Sequence, residues 1–105
     1  MTISYQHFIN GEHTAGSSTE FFDLISPVTG EVYARSPNAN EADVNAAYAA
    51  AKAAFAEWKN STPSMRQKAL LGLADAVETQ AQRLIDAQSQ ETGQLKHFIA
   101  SEEIT

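Results

Sequence analysis

The sequence predicts an α+β fold, with two small β-hairpins first and two or three helices after them. Three observations lead there. Asn10-Gly11 sits between short strand-like runs, the apolar spacing changes from two to 3.6 residues after Asn40, and residues 44–58, VNAAYAAAKAAFAEW, hold eight alanines in fifteen positions. Asn-Gly is the strongest two-residue hairpin signal, because a type I′ turn needs φ > 0 at both central residues. Alanine is the best helix former but offers little side chain to bury. The long helix is therefore strong and poorly equipped with core.

Phe8 and Ile9 lead into the turn, and His13 and Thr14 form the return strand. GSSTE is a polar loop. EFFDLI (20–25) has strand composition, with Phe22 and Leu24 on one side. SPVTGE reverses the chain at Pro27 and Gly30, and EVYARS (31–36) forms the second strand, ended by Pro37. Residues 5–36 thus read as two antiparallel hairpins. Isolated hairpins are marginal in water and need something to pack on.

Asn40 is an N-cap, and Glu41 and Asp43 put negative charge where the helix dipole favours it. Val44, Ala47, Tyr48, Ala51, Phe55 and Trp58 form one apolar stripe. Trp58 is expected to anchor this helix against the next, so that Trp58→Ala costs about 3–5 kcal/mol. Thr62 caps the second helix, with Pro63 at its first position. Leu70, Leu73, Ala74, Val77, Ala81, Leu84 and Ile85 continue the stripe across a break near Thr79, and Gly93 ends it as a C′ residue. LKHFIASEEIT starts a further helical element. Gly72 lies inside a helix at a cost of about 1 kcal/mol against Ala, which suggests close approach of another backbone. By composition the chain divides into a β part, 1–39, and a helical part, 40–105, together one incomplete domain.

The net charge is −6 and no basic cluster offsets it, so neither nucleic acid nor an anionic membrane is expected as partner. There is no cysteine, which removes disulfides, thiolate metal sites and a cysteine nucleophile from these residues. No signal-peptide pattern and no span of about 20 apolar residues occur, so a soluble, cytoplasmic chain is expected.

The remaining chemistry is sparse. His7, His13 and His97 lack metal-ligand spacing and read as surface or half-buried polar residues. Ser17 and Ser18 have no His or Asp placed around them by a motif. Glu102 and Glu103 read as a solvated helix start rather than a catalytic pair. Gly11, Gly16, Gly30, Gly72 and Gly93 fit no phosphate-loop pattern. No catalytic and no cofactor-binding residue is assigned.

FINGE (8–12), SPVTGEV (26–32), EADVNAAYAAAKAAFAEW (41–58), TPSMRQKALLGLAD (62–75) and QETGQ (90–94) occur in an order that resembles the N-terminal region of NAD(P)-dependent aldehyde dehydrogenases. The resemblance implies an enzyme several times longer. In it a cysteine thiolate attacks the aldehyde, hydride passes to the nicotinamide of NAD or NADP, and a glutamate activates the water that releases a carboxylic acid. Those groups lie later in the family's chain. The resemblance makes these residues the start of the coenzyme-binding domain, packed on its nucleotide-binding sheet and inactive alone, with no coenzyme bound to this chain itself. The family commonly has Asn-Pro at Ser26-Pro27 and Lys-Pro at Gln94-Leu95, while the ending SEEI is more similar to the aminobutyraldehyde and betaine aldehyde branch. Some relatives hold a monovalent cation on main-chain oxygens, and the positions that match are Ile25 and Glu103.

Two readings of the chain result. One is a segment of an aldehyde dehydrogenase whose apolar helix faces await the rest of the enzyme, as the interruption of the last helical pattern at Thr105 suggests. The other is a standalone helical module that works by binding partners. Under either, the exposed faces are expected to make the isolated chain a homo-oligomer, most simply a symmetric dimer.

Overall fold

The structure, a computed structural model, describes residues 3–103. Met1, Thr2, Ile104 and Thr105, and with them the end of the expected last helix, lie outside the described residues. Among the described residues five strands are followed by four helices: β1 Ile3–Ser4, β2 His7–Ile9, β3 Glu12–Thr14, β4 Phe21–Ile25, β5 Val32–Pro37, α1 Glu41–Trp58, α2 Pro63–Thr79, α3 Ala81–Thr92 and α4 Lys96–Glu102. The expected α+β class holds. The chain divides into two compact units, one of residues up to Leu24 with Val32–Ser61, the other of Ile25–Glu31 with residues from Thr62 on.

In the first unit, Asn10 (φ 55°) and Gly11 (φ 77°) make the left-handed turn that pairs β2 with β3, His7 opposite Thr14 and Ile9 opposite Glu12. Phe8 and His13 meet edge to face across this hairpin, 5.1 Å between centroids. The other strands form a sheet in the order β1-β5-β4. Its β1 strand is a correction to the two-hairpin expectation: Ile3 and Ser4 pair in parallel with Ala34 and Arg35. Two residues are too short to carry an alternation, so no local pattern announced them. Their addition makes β5 the central strand. Ala34 is accordingly fully buried. Arg35 crosses one face, its guanidinium 4.1 Å from the Phe21 ring centroid and its Nε donating to Ser4 Oγ at 3.3 Å.

Helix α1 starts at Asn40 with a full capping box. The Asn40 side chain accepts from the Asp43 N–H, and the Asp43 carboxylate accepts from the Asn40 N–H. Beyond that turn its half-buried residues are Ala47 and Ala50. With Ala51 and Ala54 they line an open groove whose other wall is the hairpin tip, Phe8 to Gly11. Alanine lets the hairpin backbone come close to the helix. The large residues of the stripe are exposed, Tyr48 at 74% and Trp58 at 45%. Trp58 is therefore no buried anchor, and the 3–5 kcal/mol expected for its truncation belongs to fully buried aromatic residues.

In the second unit Thr62 accepts from the Met65 N–H and Pro63 occupies N1, as the sequence indicated. The α-helix is interrupted at Gln80 (φ −99°, ψ 13°), and α3 starts at once. Gly93 (φ 75°) closes α3, its N–H donating to Ser89 O at 2.8 Å. The Pro27 ring lies across it, 3.4 Å from where a Cβ would stand. Ile85 and Ile99 form the core where α3 and α4 pack, with Ile99 fully buried. Helix α2 buries none of its seventeen residues. Nothing lies within 4 Å of a Cβ added at Gly72, so the expected close backbone is not found among the described residues.

Gly93→Ala should lower the stability of this unit by about 1–2 kcal/mol, the cost of a left-handed non-glycine residue. Urea unfolding followed by circular dichroism measures it, and an unchanged midpoint would place the α3–α4 junction outside the cooperative unit.

Candidate functional site

One polar cluster is centred on Asp43, the sole buried residue of α1. The loop after β3 turns at Gly16 (φ 74°), where an added Cβ would stand 2.7 Å from Asp43 Oδ1 and 2.9 Å from the His7 ring. Only glycine lets the next residue reach the helix. Ser17 then donates its N–H to Asp43 Oδ1 at 2.6 Å and its Oγ–H to the same oxygen at 3.0 Å. Oδ2 accepts from the Asn40 N–H at 3.1 Å. The Ser17 N–H, then the Asn40 N–H, hold the Asp43 carboxyl below its ordinary range, against the opposing effect of burial.

Ser17, His7 and Asp43 thus come together although no motif links them. They do not form a nucleophilic triad. A triad passes a proton from Ser to His while Asp orients the imidazole. Here Ser17 donates directly to Asp43, and His7 Nε2 is buried, without a hydrogen-bond partner, 3.9 Å from Oδ2. A carboxylate saturated with backbone donors is a weak base and a good clamp. The cluster joins hairpin, loop and helix start.

A second cluster closes the α3–α4 corner. Gln88 and Gln94 both donate their side-chain amides to the Glu103 carboxylate, and Ser89 Oγ donates to Gln94 O at 2.8 Å. Lys96 reaches Asp86 at 2.9 Å across the same corner. The Lys96 ammonium first, and Gln82 second, hold the Asp86 carboxyl below its ordinary range. Both partners are exposed, so this pair contributes little to stability. Glu102 ends α4 and Glu103 is its C-cap, which corrects the expectation that this pair starts a helix. Acidic residues there oppose the dipole, and the two glutamine amides compensate Glu103.

Of the two positions matched to a cation site, Ile25 is the last residue of β4, directly before the Ser26 turn, and Glu103 is the C-cap of α4. Its carboxylate oxygens are taken by the two glutamines, which leaves main-chain oxygen as the cation ligand to consider. No cluster of three or more His, Asp or Glu occurs among the described residues. His13 packs on Phe8. No helix among the described residues is long and apolar enough to cross a membrane.

Residues 13–105 match the aldehyde dehydrogenase family, and the chain belongs to it. It is 41% identical over 93 residues to (Z)-2-((N-methylformamido)methylene)-5-hydroxybutyrolactone dehydrogenase of Acinetobacter baylyi, covering 87% of this chain and 19% of that protein. It is 34% identical over 99 residues to 2-aminomuconic semialdehyde dehydrogenase of Danio rerio, covering 94% and 20%. A crystal structure of Mycobacterium tuberculosis aldehyde dehydrogenase complexed with NAD+ superimposes with a TM-score of 0.85 at 30% identity, over 97% of this chain and 22% of that one. The chain spans about a fifth of the length of the curated relatives it matches.

The starts of α1 and α2 are poorly made for a pyrophosphate. A pyrophosphate is held by free N–H groups at a helix N-terminus. The start of α1 is closed by its own Asn40 and Asp43, with Glu41 beside them. The start of α2 carries Pro63, which has no N–H, and α3 follows α2 through a single residue.

The depressed carboxyl of Asp43 gives a signed prediction. Its stabilisation is complete above the ordinary aspartate value of 3.8 and is lost as pH falls through that value and below it. Asp43→Asn should therefore lower the thermal midpoint at pH 7, and the gap to the unsubstituted chain should close as pH falls below 3.8. A gap constant from pH 7 to pH 2.5 would remove the carboxylate from this role.

Proposed function

We propose that these residues are the N-terminal portion of an NAD(P)-dependent aldehyde dehydrogenase that oxidises an aldehyde to a carboxylic acid, and that their own role is structural. The observation that carries this is the match of residues 13–105 to the family, in a chain with no cysteine. The thiolate that attacks the aldehyde must then come from residues outside this sequence, as must the coenzyme loops. The ending SEEI favours an amino-aldehyde substrate of the aminobutyraldehyde or betaine aldehyde kind. Cytoplasmic placement is part of the same proposal and accords with the lack of cysteine.

The apolar faces of α1 and α2 supply the docking role. Tyr48, Phe55, Leu70 and Leu73 are each more than half exposed. Monomeric proteins rarely leave large apolar patches uncovered, and this applies to each helix by itself. The rest of the enzyme is the proposed cover, and a second copy substitutes for it in the isolated chain. Ile25 and Glu103 are proposed to offer main-chain oxygens to a monovalent cation. Exchange of sodium for potassium or tetramethylammonium should then shift the thermal midpoint of the full enzyme, and an unchanged midpoint rejects the site.

The function is tested by exchange. The chain alone should reduce no NAD with any aldehyde. A chimera in which residues 3–103 replace the matched segment of the Mycobacterium tuberculosis enzyme should fold and oxidise aldehydes within about tenfold of the parent, since a distant scaffold adds little to transition-state binding. A folded but inactive chimera, or turnover by the chain alone, overturns the reading. For the faces, light scattering at high micromolar concentration should give a dimer, and Leu70→Glu with Leu73→Glu should return it to monomer. A monodisperse unsubstituted monomer that binds no hydrophobic dye would favour neither the dimer nor the docking role.

A further inference from the structure

The Asn10-Gly11 pair that turns the β2–β3 hairpin also carries a chemical reactivity of its own. We propose that Asn10 is a site of spontaneous deamidation through a cyclic imide, and that the β2–β3 turn is where this chain ages chemically.

The geometry isolates Asn10 from the other asparagines. It is exposed, and the residue after it is Gly11, which has nothing within 4 Å of the position a Cβ would take. The chemistry needs the Gly11 nitrogen to attack the Asn10 side-chain carbonyl, and a side chain on the following residue obstructs that approach. The ladder pairs His7 with Thr14, Phe8 with His13 and Ile9 with Glu12, so neither turn residue is part of it. The other four asparagines are followed by Ala39, Glu41, Ala46 and Ser61. Asn40 is held in the capping box, Asn45 lies within α1, and the Asn60 amide donates to Ala56 O at 3.1 Å.

The step balances without an oxidant or reductant. A C–N bond forms between Gly11 N and Asn10 Cγ, and the Cγ–NH2 bond breaks with loss of ammonia. Water then opens the imide at either carbonyl, giving aspartate or isoaspartate. Each product adds one negative charge to the net −6. Aspartate tolerates the left-handed conformation of position 10. Isoaspartate adds a methylene to the main chain, which a two-residue turn cannot absorb. It should loosen the hairpin that walls the alanine groove of α1.

The test is incubation of the full chain at pH 8 and 37 °C, with peptide mass spectrometry and methylation by a protein isoaspartyl methyltransferase. Conversion at Asn10 should run at least tenfold faster than at any other asparagine, and Asn10→Gln should remove the methyl acceptor. Gly11→Ala should slow conversion by at least tenfold, and because it also strains the turn, the same comparison is made in 8 M urea, where fold no longer matters. Equal rates at all five asparagines in the folded chain, or no isoaspartate in the β2–β3 peptide, would overturn the proposal.

Discussion

The carboxylate of Asp43 fixes three segments at once, and the first unit depends on it. It caps its own helix through Asn40, draws in the loop at Ser17, and stands beside the ring of His7 on the hairpin. A helix rich in alanine has few side chains with which to select its neighbours. A single charged hydrogen-bonding group supplies that selection, since charge-assisted bonds are short and directional. The glycine before Ser17 is part of the same device, because any Cβ there would stand in the path of the bond.

Much of the fold was legible in the sequence because its signals are local. The Asn-Gly turn, the caps at Asn40 and Thr62, the break at Thr79 and the terminator at Gly93 each depend on a few adjacent residues, and each recurs in the structure. What escaped was non-local. The β1 strand consists of two residues whose partners follow much later. The Asp43–Ser17 bond links positions 26 apart, and although the local Asn40–Asp43 box could have been seen, its reach into the loop could not. The glutamine pair on Glu103 has the same character, assembled from two helices and their corner. Apolar period also misleads where a helix face has no core beneath it. The stripes on α1 and α2 have helical spacing, yet they mark surfaces rather than interior.

Two departures from the family's usual residues have a physical reading. Ser26 stands where asparagine is common, and its Oγ accepts from the Val28 and Thr29 N–H groups at 3.2 and 3.3 Å. A serine hydroxyl can take the place of an asparagine side chain in such turns, so the reversal is preserved. Gln94 stands where lysine is common. Its amide accepts from Gln88 at 2.9 Å and donates to Glu103, so a neutral bridge ties the corner together.

The parallel pairing of β1 with β5 also bears on synthesis. Ile3 leaves the ribosome about thirty residues before Ala34, its partner, exists. At translation rates of about 5–20 residues per second that interval is roughly 2–6 s, against microseconds for a hairpin to close. The β2–β3 hairpin can form and re-form many times while the first strand still has no edge to join. Both edge strands of this sheet, β1 and β4, are thus made before the central strand that joins them, and β1 waits the longer for it.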